Sequence, residues 1–236
     1  MGDKKVGKDR MTKIEKTEIW MECEQPFTLP DVAAVRGFLG NLYCQRPEFH
    51  GHKGSGFVYK HPLIQYKVID AKGVIIGLKE GAYLLKAIPK LKILELHYKK
   101  YTILKQDIHN NMVPFGLTED MIRYDFMTPW IGLNEKNYQI YIKLQKKTES
   151  VNTLLERILI GNFLSMSKAL GYVVKGNIRA KVRLEENGFV EAKQGIKLLA
   201  FKGEFKTNFF IPDFWGVGKF SSRGYGIVRR NSEGDL

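Results

Sequence analysis

Cysteine is scarce in this chain. The 236 residues carry two, Cys23 and Cys44, and no Cys-x-x-Cys pair. That spacing excludes a zinc ribbon and a thioredoxin-type redox motif, and two buried, reduced thiols fit a cytoplasmic protein. Long apolar runs are missing as well: none approaches the ~18 residues of a membrane span. Residues 1–10 are basic and polar with no hydrophobic stretch behind them, so they do not read as a signal peptide. Val6 stands where a myristoylation motif needs Ser or Thr. Met11 is a candidate start, with residues 1–10 a flexible extension. Acidic residues are the minority, 25 Asp+Glu against 38 Lys+Arg. The resulting formal charge of +13 points to a polyanionic partner, and RNA fits best.

What is present is enough for a packed core. Hydrophobic residues make up 44 %, which argues against global disorder. The length suits one large domain or two of about 110 residues each. Alternation over residues 14–23 predicts a strand. Pro30 and Asp31 then open a helix whose apolar face carries Val32, Val35, Phe38, Leu39 and Leu42. Strands are expected over 57–69 and 73–78, a helix over 80–88 stopped by Pro89, and extended chain over 92–98 and 101–104. This order is the split βαβ of a ferredoxin-like fold, the topology of an RNA-recognition motif. The second half repeats it: a strand over 123–128, helices over 134–144 and 150–170, then strands over 177–184, 189–193 and 196–210 and a last one at 225–229. Asn187-Gly188 is expected to turn a hairpin. Asn110, Asn111, Pro114 and Gly116 cluster like an interdomain turn. The expected fold class is α+β: two tandem ferredoxin-like domains, 11–112 and 117–230.

Three of the five histidines fall in one loop, at His50, His52 and His61. Imidazole titrates near neutrality, so two can serve as base and acid in one reaction. RNA carries its own nucleophile, the 2′-hydroxyl. One imidazole would take that proton and another would protonate the departing 5′-oxygen, while Lys53 or Tyr59 stabilises charge on the phosphate. No metal is needed for such a cut. Competing readings are a metal site using His50, His52, His61 and Glu48, phosphate contact without catalysis, and solvated bystanders.

Two further features suit RNA. Over residues 178–184, Ile178, Ala180, Val182 and Leu184 point one way and Arg179, Lys181 and Arg183 the other, a basic stripe beside a core face. The alternative is an ordinary solvated sheet face. Near the C-terminus, Gly216-x-Gly218 and Gly224-x-Gly226 bracket Lys219, Ser221, Ser222 and Arg223. Glycines at this spacing, with cations and hydroxyls between them, suggest a loop shaped around phosphates. The loop fails the Walker pattern, because Phe220 follows Gly218-Lys219. It fails the dinucleotide fingerprint, because Ser221 stands where a third glycine belongs. Phe209, Phe210, Phe214, Trp215 and Phe220 flank it; they read mainly as core, with some able to stack on bases.

The Gly-h-Gly-x5-Gly-h-Gly pattern, where h is apolar or aromatic, resembles the glycine-rich loop of the repeat-associated RNA-binding superfamily of CRISPR proteins. With His50-x-His52 and residues 59–67, 128–134, 160–168 and 208–226, the chain looks like the type I-B form of the endoribonucleases that process precursor CRISPR RNA. The likeness spans residues 11–229. It implies two ferredoxin-like domains, metal-independent cleavage by 2′-hydroxyl attack, no cofactor, and CRISPR repeat RNA as partner. It also allows association with the CRISPR surveillance complex and a homodimer. The family's catalytic roles map onto His50, His52 and Tyr59. RNA contacts are expected from Lys53, Arg179, Lys181, Arg183, Gly216, Gly218, Lys219, Ser221, Ser222, Arg223, Gly224 and Gly226. The lysine that some relatives supply from the first helix has no match here, where the chain offers Tyr43 and Arg46. The alternative function is a non-catalytic RNA-binding subunit of a CRISPR ribonucleoprotein.

Overall fold

The computed structural model describes residues 11–49, 52–53, 56–57, 61–96, 99–193 and 195–231. In chain order the elements are β1 (Met11–Cys23), α1 (Leu29–Leu42), a 3-10 turn (Pro47–Phe49), β2 (His52–Lys53), β3 (Gly56–Phe57), β4 (Ile64–Ile69), β5 (Lys72–Leu78), α2 (Glu80–Lys86), β6 (Ile93–Leu96) and β7 (Lys99–Phe126). There follow α3 (Glu135–Leu144), α4 (Thr148–Ala169), β8 (Ala180–Lys193), β9 (Ile196–Phe210) and β10 (Val228–Arg230).

Local chemistry accounts for the boundaries. The Asp31 carboxylate closes the start of α1, accepting from the Thr28 amide and hydroxyl, both at 2.7 Å. Its other oxygen accepts from the Tyr101 hydroxyl at 2.9 Å, tying the helix end to β7. Asp70 and Ala71 both take positive φ, 48° and 61°, the requirement of a two-residue type I′ turn between β4 and β5. Asn134 caps α3 by accepting from the Asn137 amide.

The main sheet runs β4-β5-β1-β7-β9-β8, with β6 and β10 also paired to β7. The first half uses β4-β5-β1-β7 with α1 and α2. The second uses β8-β9-β7-β10 with α3 and α4. Each is a ferredoxin-like arrangement, and β7 belongs to both.

That sharing corrects one expectation. The Asn110 to Gly116 cluster does not form a turn, and residues 123–128 do not start a separate strand. β7 continues through both, pairing Asn110 with Thr17 and Pro114 with Lys13 before taking β9 as a neighbour from Gly116. Pro114 is tolerated because a strand edge needs no amide there. Gly116, at φ 115°, marks the crossover, where a Cβ would overlap the Tyr172 ring. A second correction concerns Asn187-Gly188. The register shifts between Glu186 and Gly188, and Gly188 has φ 79°, so the pair makes a β-bulge inside β8 rather than a hairpin. β8 and β9 instead close on the pair Lys193 and Ile196, with Gly195 at φ 74°.

α1 packs one face of the first sheet, with Val32, Val35 and Leu39 against Ile19, Met21 and Tyr66. The other face is also covered: Ile69, Val74, Ile76 and Leu78 join Trp215, Val217 and the second-half core. β4 is therefore buried on both faces, although it is an edge strand.

Candidate functional site

β4 is where the candidate elements meet. Its residues alternate, so Tyr66 points to α1 while Gln65 and Lys67 point to the segment entering the glycine loop. Gln65 is fully buried. Its Oε1 accepts from the Gly216 amide at 2.7 Å, and its Nε2 donates to the Gly216 carbonyl at 3.1 Å. One side-chain amide thus satisfies both backbone groups of one glycine. The Lys67 ammonium donates to the same Oε1 at 2.7 Å, and Gln65 Nε2 lies 3.2 Å from His61 Nε2. The Trp215 indole N–H donates to His61 Nε2 at 2.8 Å. The backbone joins in as well, with Tyr66 bridged in parallel to Arg223.

Both flanks of the histidine loop end on this framework. On one side the Tyr66 hydroxyl donates to the Phe49 carbonyl at 3.1 Å, and Phe49 stacks on Tyr43. On the other, His61 is held by Trp215. Burial and the neighbouring Lys67 charge push the His61 imidazole down to about 3. It stays neutral, with Nε2 as acceptor and the proton on Nδ1. His61 is a structural acceptor, and this arrangement takes its Nε2 out of the metal reading. Lys67, buried with no carboxylate partner among the described residues, is held well below the usual ammonium range, first by burial and then by Lys16.

His50 and Tyr59 lie outside the described residues. The backbones of His52 and Lys53 form β2, paired with Phe57 and Gly56 of β3. Among the described residues no cluster of three His, Cys, Asp or Glu could hold a metal ion.

The glycines of the C-terminal loop have intramolecular reasons. A Cβ on Gly226 would overlap the Val217 carbonyl, and one on Gly218 would crowd Trp130 and the Ile131 carbonyl. Gly216 is pressed by Gln65 and the Tyr225 carbonyl. Gly218, Gly224 and Gly226 also take φ of 87°, 85° and 61°. The amides of Val217, Lys219 and Gly226 are bonded to the carbonyls of Gly226, Ile131 and Pro129. Of the residues between the glycine pairs, Ser221 is buried, Ser222 and Arg223 are half-buried, and Lys219 is exposed. Arg223 donates to the Ala192 carbonyl at 3.4 Å and lies over the Phe220 ring.

The basic stripe sits elsewhere. β8 is at the opposite edge of the main sheet from β4, and the stripe occupies the end of it away from Ala192. The alternation is as expected, with Arg179, Lys181 and Arg183 exposed and Ala180 buried. Lys181 reaches Glu156 at 3.3 Å and Arg183 reaches Glu204 at 3.4 Å, so acidic neighbours relieve part of the repulsion. Cross-strand register sets Lys206 and Arg123 beside Lys181, extending the basic row across three strands.

Two residues were not singled out from the sequence. Gln65 shares β4 with Lys67, and its signal was a polar residue set between the apolar Ile64 and Tyr66. Arg36 lies three to four residues from Val32 and Leu39, so a cation falls within the apolar phase of α1.

The comparisons agree with this architecture. Family models for the Cas6b N-terminal and C-terminal domains match residues 12–113 and 116–231. An uncharacterized protein of Methanocaldococcus jannaschii is 43 % identical over 145 residues, which is 61 % of this chain and 97 % of the relative. A crystal structure of Cas6b superposes with a TM-score of 0.85 at 34 % identity, covering 93 % of this chain and all of the other. A crystal structure of the CRISPR RNA processing endoribonuclease Cas6b gives 0.72 at 32 % identity with the same coverage. With two ferredoxin-like halves sharing one strand, and both family domains matched in order, the chain belongs to the Cas6b family.

Proposed function

We propose that this protein is an endoribonuclease that processes CRISPR repeat transcripts without a metal ion. The observation that carries the reading is the convergence on β4: both flanks of the histidine loop and the start of the glycine loop are fastened to Tyr66, Gln65 and His61. Membership of a family that includes a CRISPR RNA processing endoribonuclease and the charge of +13 support it.

In the proposed reaction one imidazole of the His50 and His52 pair removes the proton from the 2′-hydroxyl. The 2′-oxygen attacks the adjacent phosphorus and the bond to the 5′-oxygen breaks. The second imidazole gives its proton to that leaving oxygen. The products are a 2′,3′-cyclic phosphate and a 5′-hydroxyl, and each imidazole ends with the charge state opposite to the one it began with. Tyr59 and Lys53 stabilise charge on the phosphate. Neutral His61 takes no part in proton transfer. The basic row of Arg179, Lys181, Arg183, Lys206 and Arg123 positions the RNA through its phosphates, and Lys219, Ser222 and Arg223 do so beside the scissile linkage.

The test is cleavage of repeat RNA in EDTA, with and without a 2′-deoxy substitution at the nucleotide 5′ of the cut. Full activity in EDTA and none on the deoxy substrate are expected, and His50→Ala or His52→Ala should slow cleavage by about 10²-fold or more. Cutting of the deoxy substrate would overturn the mechanism. Tight binding with no product would leave the chain an RNA-binding subunit.

A further inference from the structure

Between Ile103 and Gly116, β7 has a strand on one side only. β1 pairs along its inner side. On the outer side β6 reaches no further than Ile103, whose amide donates to the Lys92 carbonyl, and β9 begins at Gly116. β1 fixes the direction of the backbone groups in this stretch. The Glu15 carbonyl accepts from the amide of Lys79, which follows β5, so Glu15 faces β5. Alternation turns Lys16, Glu18, Trp20 and Glu22 towards β7, and with them their partners Asn111, His109, Asp107 and Lys105 towards β1. The amides and carbonyls of Gln106, Ile108, Asn110 and Met112 then point outward, and among the described residues no backbone group bonds them.

The side chains here are uncovered as well. Ile108 lies beside Ile19 and Gln106 beside Met21, on the face that α1 covers further in. Leu104, Ile108 and Met112 are nevertheless 61 %, 40 % and 59 % exposed. A row of unpaired backbone groups lined with apolar side chains is a template for another strand. Most of the surface of a protein with a formal charge of +13 repels its own copy. Residues 104–113 carry one lysine and one aspartate, so this edge is locally neutral.

The order of residues along the edge selects the occupant. Turned end for end about Ile108, the segment matches itself. Ile108 faces Ile108, Asp107 faces His109, Gln106 faces Asn110 and Lys105 faces Asn111, while Leu104, at the register shift opposite Glu22 and Cys23, faces Met112. Apolar side chains meet apolar ones, amides meet amides, and a carboxylate meets an imidazole. Neighbouring registers fail. Centring on Asn110 sets Gln106 against Pro114, which has no amide to donate. Centring on Gln106 sets Asn110 against Thr102, which β6 already pairs. We propose that the outer edge of β7 joins two copies of this chain antiparallel about Ile108, as a two-fold dimer with one continuous sheet. The contact is isologous, so each pairing off the axis occurs twice and the assembly closes. The dimer does not depend on the chemistry proposed above.

Sedimentation velocity of the full chain without RNA measures the association, since no shared strand of RNA then bridges two copies. A concentration-dependent dimer is expected. Ile108→Lys sets two like charges on the axis and should raise the dissociation constant by about 100-fold or more, with a native melting transition retained. Asp107→His or His109→Asp alone should weaken the dimer, and the two together, which exchange the partners, should restore it. In a Cys44→Ser background, Ile108→Cys should form an intermolecular disulfide on oxidation, because facing Cα atoms lie about 5.5 Å apart in such a pair, within disulfide reach. Leu104→Cys and Met112→Cys should each stay uncross-linked alone and cross-link when mixed. The cysteine variants carry the test if Ile108→Lys does not fold. A chain that stays monomeric at every concentration overturns the proposal. So does a dimer that Ile108→Lys leaves intact or that Ile108→Cys fails to capture.

Discussion

Replacing Gln65 with leucine removes the link between β4 and the glycine loop while nearly conserving volume. The side chain is fully buried, so water does not take its place without opening the seam. Four contacts are lost: to the Gly216 amide at 2.7 Å and its carbonyl at 3.1 Å, to Lys67 at 2.7 Å, and to His61 at 3.2 Å. His61 keeps its Trp215 donor, but the Gly216 amide, the Gly216 carbonyl and the Lys67 amine are left without this partner. Each such buried group costs about 1–3 kcal/mol. Partial relaxation keeps the sum near the upper end of single-substitution effects, about 4 kcal/mol. At this chain length that corresponds to a fall in Tm of roughly 8–16 °C. Thermal and urea unfolding would measure the loss, and hydrogen exchange would report the Gly216 amide, whose protection should drop towards that of a surface loop. A loss below about 1 kcal/mol, the net worth of one ordinary hydrogen bond, with Gly216 protection unchanged, would refute the claim that Gln65 fastens the loop.

Two further expectations concern stability. Gly226→Ala should prevent or severely impair folding, because the new Cβ meets the Val217 carbonyl and φ is 61°, whereas Gly161→Ala, in the exposed middle of α4 with nothing within 4 Å, should stabilise by about 1 kcal/mol in a urea melt; the reverse order would contradict both environments. His61 titrates at about 3 when folded and near 6.5 when unfolded, so the unfolded chain binds the extra proton between these values. Its contribution is complete above pH 6.5 and is lost as pH falls towards 3, at about 1.4 kcal/mol per pH unit. His61→Gln should remove that slope from stability measured between pH 6 and 4. An unchanged slope would mean that the imidazole is not held neutral.

The amino-acid order by itself determined the regular elements whose burial repeats at a fixed period. The helix over α4, the two-faced strand at Arg179 to Leu184, and the paired glycines at Gly216 to Gly226 could all be read, because period and glycine spacing are properties of the local chain. The tertiary structure decided what covers each face. β7 carries Asn110, Pro114 and Gly116 and looked broken, yet it runs on because neighbouring strands supply its pairing and one edge tolerates a missing amide. The glycines suggested a cradle for phosphate, and their immediate neighbours turned out to be Gln65, Trp130, Ile131 and Val217. Arg36 and Gln65 gave only faint signals, a cation within the apolar phase of α1 and an amide set between Ile64 and Tyr66 on β4. Local periodicity states that a side chain is buried but not by what, and Gly216, which the Gln65 side chain holds, lies 151 residues further along the chain.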